Sequence, residues 1–212
     1  MRFLFIHIVL LLMTSQSYSQ VVFQITNNAC DPSTEQAYNF EEGNGAGWNT
    51  PNLLDTSNAI RGCLVLVNDG TTPGNIDAGG NTPHPTISDA CDSTTWTQDL
   101  TGKIAVFYRG ACEYGLKAYN AQKRGAIGAI CINHTGAASG MAGGTYGVNV
   151  TIPTIMIGET DGNNLVACLD TVCTNVEGYI GLEEYLINND NLASNKSMIL
   201  MTESSAMPWD LA

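Results

Sequence analysis

TGKIAVFYRGACEYGLKAYNAQKRGAIGAICIN, residues 101–133, decides the fold. Ile104, Ala105, Val106 and Phe107 form an apolar run of the length expected for a buried strand. Gly102 punctuates its start and Arg109-Gly110 its end. From Cys112 the spacing turns helical: Leu116, Tyr119 and Lys123 keep one stripe, while Ala118, Ala121 and Gln122 favour helix. Gly125 stands where a left-handed C-terminal cap belongs. A second apolar run, Ile127–Ile132, follows directly. Strand, helix and strand within about 30 residues make a βαβ unit, whose strands must run parallel through a right-handed crossover.

Working outward, Cys63–Val67 reads as a strand closed by the turn Asn68-Asp69-Gly70. Residues 71–90 are rich in Thr, Pro, Gly and Asn and read as a long loop, as does the glycine-rich Thr135–Gly147. Beyond Pro153-Thr154, Ile155–Ile157 reads as a strand, Asp161–Leu169 as a helix and Val176–Ile180 as a last strand. Residues 20–60 are polar, and Ala37–Phe40 and Gly45–Trp48 read as an irregular wrap over the core. Residues 182–212 lose the pattern and read as a polar tail or linker, or the start of a further segment.

Arg109-Gly110-x-Cys112, Tyr114, Lys117, Asn120-Ala121-Gln122 and Gly125-Ala126 together resemble the protease-associated (PA) domain family, of the type found in secreted bacterial proteins. Tyr114 stands where the family pattern has Phe, which keeps the ring and adds a hydroxyl. The resemblance continues through Met141, Val150, Ile152, Pro153, Ile155–Ile157, Asp161-Gly162 and Leu165, and upstream through Cys63–Thr71. It covers roughly residues 21–181 and implies one domain over 20–181 with its core at 60–181. The fold class expected is α/β: a curved β-sheet or open barrel of about six or seven strands, flanked by two or three helices around the βαβ core. Only the βαβ unit and the last helix follow from periodicity; the barrel-like closure is implied by the resemblance.

Near the N-terminus, Arg2 precedes an apolar run, Phe3–Met13, that is too short to span a bilayer. Ser17 and Ser19 offer small-residue cleavage positions, so residues 1–19 read as a signal peptide and the mature chain as secreted, without membrane insertion. Seven cysteines in an exported chain read as a partial disulfide framework. The resemblance implies a Cys91–Cys112 bridge. Cys168 and Cys173, five apart, could close a small loop, which leaves Cys30 and Cys63 as the remaining pair. Cys131 is left inside an apolar strand, as a buried inert thiol or, on the sharper alternative, a metal ligand; the spacings do not suit structural zinc.

The net charge of −12 sets nucleic acid aside as a partner. Against that background, five of the eight basic residues fall within 103–124: Lys103, Arg109, Lys117, Lys123 and Arg124. They read as a solvated helix face with a structural Lys117 or Arg109 pairing with carboxylates, or as a docking patch for an acidic partner or a free peptide carboxylate, centred on Lys123 and Arg124. No HExxH, nucleophile elbow or calcium-loop spacing is present, and the adjacent pair Glu41-Glu42 reads as solvated. His84 lies between prolines, whereas His134 ends the second core strand at the mouth of the glycine loop.

No cofactor is expected. The function expected is a non-catalytic module that binds a protein or peptide, a peptidase or its substrate, through His134, Met141 and Tyr146 of the glycine loop with Lys123 and Arg124. The alternatives are an accessory fragment of a larger secreted peptidase and an independent hydrolase built on His134.

Overall fold

A computed structural model describes residues 20–70 and 87–183. Residues 1–19, His84 with most of the 71–90 loop, and the tail beyond residue 183 lie outside the described residues.

The βαβ unit stands as expected. Strand β5 (Ile104–Tyr108) pairs in parallel with β6 (Gly128–Ile132), and helix α1 (Tyr114–Lys123) crosses between them. Gly125 ends the helix at φ +92°, a left-handed geometry that costs other residues energy. Strands β4 (Ile60–Leu66) and β7 (Thr154–Ile157) extend this set in parallel on its two sides. Helix α2 (Glu159–Val166) then leads to β8 (Val176–Leu182).

The remaining strands come from the region read as irregular. β1 (Val21–Asn28) pairs antiparallel with β8, and the short β2 (Ala37–Tyr38) and β3 (Phe40–Glu42) follow. These make eight strands among the described residues, more than expected. The sheet order is β2-β1-β8-β4-β5-β6-β7-β3. Its two edges, β2 and β3, are separated in sequence by Asn39 alone, so the sheet curls into a nearly closed barrel.

Strand alternation divides the core in two. Ile104, Val106, Ile130, Ile132 and Ile155 point into the barrel, where they meet Phe23, Ile25, Leu64 and Ile180. Ala105, Phe107, Ala129, Cys131 and Met156 point outward beneath α1, with Trp96 and Leu100. Burial on both faces explains the unbroken apolar runs. On the outer face Ala105 and Ala129 meet Ala118 and Ala121 of α1, and these small side chains let helix and sheet approach closely.

The disulfides correct one expectation. Cys91–Cys112 forms as the resemblance implies, but Cys30 joins Cys168 and Cys63 joins Cys173. The cause is sheet order: β8 lies between β1 and β4, so its lead-in passes between the two strands. Cys168 meets the end of β1 on one side, and Cys173 meets β4 on the other. Cys131 is a buried free thiol whose ionisation burial pushes up to about 12, which makes it inert at neutral pH.

Candidate functional site

The motif residues that carried the resemblance hold the loops around α1. Lys117 lies on the same helical face as Ala118 and Ala121 and is fully buried. Its Nζ donates to the Asp89 carbonyl at 2.5 Å and reaches Cys91 Sγ at 3.2 Å. Asn120 Nδ2 donates to the Ala90 carbonyl at 3.0 Å. Gln122 clamps the far end of the glycine loop: Nε2 donates to Asn149 O at 3.0 Å, and Oε1 accepts from Thr151 N at 2.7 Å. Arg109 donates to Asn133 Oδ1 at 3.0 Å and stacks over Tyr114. Ala90 and Ala111, each immediately before a cysteine of the Cys91–Cys112 bridge, sit at φ +60° and +64°. Such backbone persists only where the surroundings over-determine it, and the bridge with Lys117 and Asn120 does so.

Behind this frame lies a buried ionisable cluster in which Lys117 has the structural place beside carboxylates that one reading of the basic residues gives it, with Asp69 and Asp89 as carboxylates that reading does not identify. Asp69 and Asp89 are both buried beside Lys117. Asp69 Oδ2 accepts from the amides of Cys91 and Asp92 at 3.0 and 3.2 Å, and Asp89 Oδ1 accepts from Cys91 N at 2.9 Å. Asp89 Oδ2 is buried without a hydrogen-bond partner. Burial raises the Asp89 carboxyl to about 6 against the pull of Lys117, and burial lowers Lys117 to about 8. The available signal was the position of Lys117 on the alanine stripe of α1; nothing in the spacing of Asp69 and Asp89 marks them as its neighbours.

The glycine loop is pinned along its length. Trp48 Nε1 donates to the Met141 carbonyl at 2.8 Å, and Glu113, at the start of α1, accepts from Thr145 N at 2.9 Å. A Cβ at Gly115 would stand 2.0 Å from Gly143 O, and one at Gly143 would stand 2.2 Å from Gly47 O. The glycines are therefore needed because three backbone segments pack against one another without side chains between them.

The expected site residues separate on this frame. Met141 is buried in the outer core, so it anchors the loop and contributes little surface. Arg124 is tied down, donating to Ser93 O at 2.7 Å. His134 is half-buried at the end of β6, its backbone N–H accepted by Asn133 Oδ1. Tyr146 is exposed and stacks on Tyr119 with ring centroids 5.8 Å apart; Lys123 Nζ lies 5.8 Å from the Tyr119 ring. Val148, at 56% exposure, stands beside them in the chain. Tyr146 and Lys123 thus come together on one surface, while Met141 and Arg124 are spent on the scaffold. Among the described residues, no three His, Cys, Asp or Glu side chains are grouped so as to hold a metal ion.

Residues 82–165 match the family model of the PA domain. The sheet and its two helices are shared with an aminopeptidase from Aneurinibacillus sp. strain AM-1, at a TM-score of 0.50 and 21% identity over 77% of this chain and 30% of that one. Among sequence relatives, leucine aminopeptidase 2 of Arthroderma otae is 37% identical over 78 residues, 36% of this chain and 15% of that protein. The minor extracellular protease Vpr of Bacillus subtilis is 40% identical over 75 residues, 34% of this chain and 8% of that protein. Fungal and bacterial peptidases both match, so the relatives do not single out a bacterial type. The chain spans under a third of each.

Proposed function

We propose that this chain is a non-catalytic PA domain of extracellular proteolysis that holds a protein or peptide partner on the surface formed by Tyr119, Lys123, Tyr146 and Val148. The observation that carries the reading is exposed Tyr146, on the pinned glycine loop, against half-buried Tyr119 of α1, with Lys123 beside them. Tyrosines held rigidly at a surface supply contact area at low entropic cost and recur as interface anchors. Three disulfides favour an oxidising compartment. In the full chain, residues 1–19 would act as the export signal and residues 182–212 as a tail or linker.

The second reading, an accessory domain of a larger secreted peptidase, is favoured by the relatives: this chain aligns with only 8–15% of two peptidases. Both readings place chemistry elsewhere and leave this domain to shape which substrates are held. The test is capture of an immobilised peptide library by the purified oxidised chain and by a Tyr146→Ala/Lys123→Glu variant with unchanged thermal unfolding. Loss of capture supports the surface; undiminished capture contradicts it.

A further inference from the structure

The barrel closes through a strand that serves two neighbours in turn. β2 pairs with β1 through Phe23–Tyr38 and Gln24–Ala37, and β3 then pairs with β7 through Phe40–Ile157 and Glu42–Ile155. Peptide groups on a strand alternate in direction, so two hydrogen bonds fix the rest. Ile25 N donates to Gln36 O on the β2 side, which turns the peptide groups of Phe23 and Val21 the same way. Gly43 N donates to Thr154 O on the β7 side, which turns those of Phe40 and Glu42 back toward β1.

In a continuous ladder Val21 would pair with Phe40, but the β1–β2 ladder ends at Phe23–Tyr38 because the strand leaves for β7 at Asn39. A groove of about 630 Å³ opens in the wedge, lined by Val21, Val22, Phe40, Glu41, Glu42 and Leu54 among others. Within its mainly polar lining, Val21 and Phe40 form an apolar patch at the partly buried rim of the barrel core, and Leu54 is 62% exposed beside it. Its charge is of one sign, since Glu41 and Glu42 line it and no Lys or Arg does. Glu42 is half-buried and accepts from Asn44 Nδ2 at 3.1 Å, while Glu41 is exposed.

We propose that this seam is a second binding site, which takes an extended peptide of alternating apolar and basic residues as an added strand between β1 and β3. The peptide's main chain continues the interrupted ladder, bonding Val21 on one side and Phe40 and Glu42 on the other. An inward apolar side chain covers Val21 and Phe40. Glu41 and Glu42 are consecutive and so project to opposite faces: exposed Glu41 meets the basic side chains on the peptide's outer face, and half-buried Glu42 shares the face of Phe40.

The site is separate from the Tyr146 surface and is tested separately. Fluorescence anisotropy on the full oxidised chain would use a labelled, capped peptide of alternating lysine and valine, with a glutamate–valine peptide as its counterpart. Binding of the lysine peptide alone is expected. It should weaken roughly tenfold in Glu41→Gln/Glu42→Gln, fall with added salt, vanish when alternate peptide nitrogens are methylated, and survive Tyr146→Ala. Equal binding of both peptides, indifference to methylation, or no binding, whether the seam is unsuited or filled by this chain's own residues, overturns the proposal. Self-association of the chain that disappears in the double variant assigns the seam to a second copy and overturns it equally.

Discussion

The two sides of the barrel solve the same closure problem with opposite means. On the β5–β6 side, α1 covers the sheet, small residues bring backbones together, and buried polar groups (Lys117, Asp89, Asn120) hold the connecting segments. On the β1–β3 side no helix among the described residues covers the join, and one bent strand divides its hydrogen bonds between β1 and β7. The first side is over-determined and rigid, whereas the second leaves backbone groups and a one-signed charge facing a groove. A fold of this size thus concentrates its specificity devices where the motif lies and leaves the opposite seam available for recognition.

Truncations should expose the contrast most strongly at Lys117. Lys117→Met keeps the volume but leaves the buried Asp89 carboxyl without its cation, at a cost of about 3–5 kcal/mol in urea unfolding. A loss below about 1 kcal/mol, the level of an exposed pair, would mean that the cluster is not part of the frame.

Next in size is the bridge that ties β4 to the β8 lead-in. Removing it as Cys63→Ala/Cys173→Ala should cost about 2–4 kcal/mol. Peptide mapping of the parent should recover Cys30–Cys168 and Cys63–Cys173 fragments. A Cys168–Cys173 fragment would contradict the strand order.

pH should separate the two sides further. The folded-state carboxyl of Asp89 is raised to about 6, so its contribution is full below the ordinary carboxylate value and is lost as pH rises through about 6. Burial is the main cause; Lys117, the opposing cation, titrates at about 8 and stays charged across this window. Asp69 and the Cys91 amide are the other polar groups against Asp89. The stability of the parent relative to Asp89→Asn, read from thermal unfolding, should therefore fall between about pH 4 and 6. A difference that stays flat, or rises with pH, contradicts the cluster's geometry.

The smallest effect belongs to the seam. Phe40 is only partly buried at the rim, so Phe40→Ala should cost about 1–2 kcal/mol, well below the 3–5 expected for a fully buried ring such as Phe107. Equal losses at Phe40 and Phe107 would mean that the seam is as tightly packed as the core.

Legibility followed locality. The βαβ unit was readable because strand, helix, cap and strand are contiguous and each carries its own signal. β1 was not: Phe23-Gln24-Ile25-Thr26 alternates as a strand should, but its partner β8 lies some 150 residues on and nothing nearby confirms it. The cysteine pairing failed for the same reason, since it depends on β8 lying between β1 and β4. Glu41 and Glu42 read as solvated on spacing alone; Glu41 is exposed, and only strand pairing places Glu42, half-buried, in the groove. Tyr146 is legible as part of the glycine loop and Lys123 as part of the basic patch, whereas Tyr119, the ring that joins them, reads only as part of a helical stripe.

The central claim is that this chain holds partners without cutting them. Its most direct test is proteolysis of casein and of a mixed peptide library by the purified, oxidised chain, with His134→Ala alongside. The account predicts no cleavage by either protein. Cleavage that survives repurification and is lost in His134→Ala would contradict it.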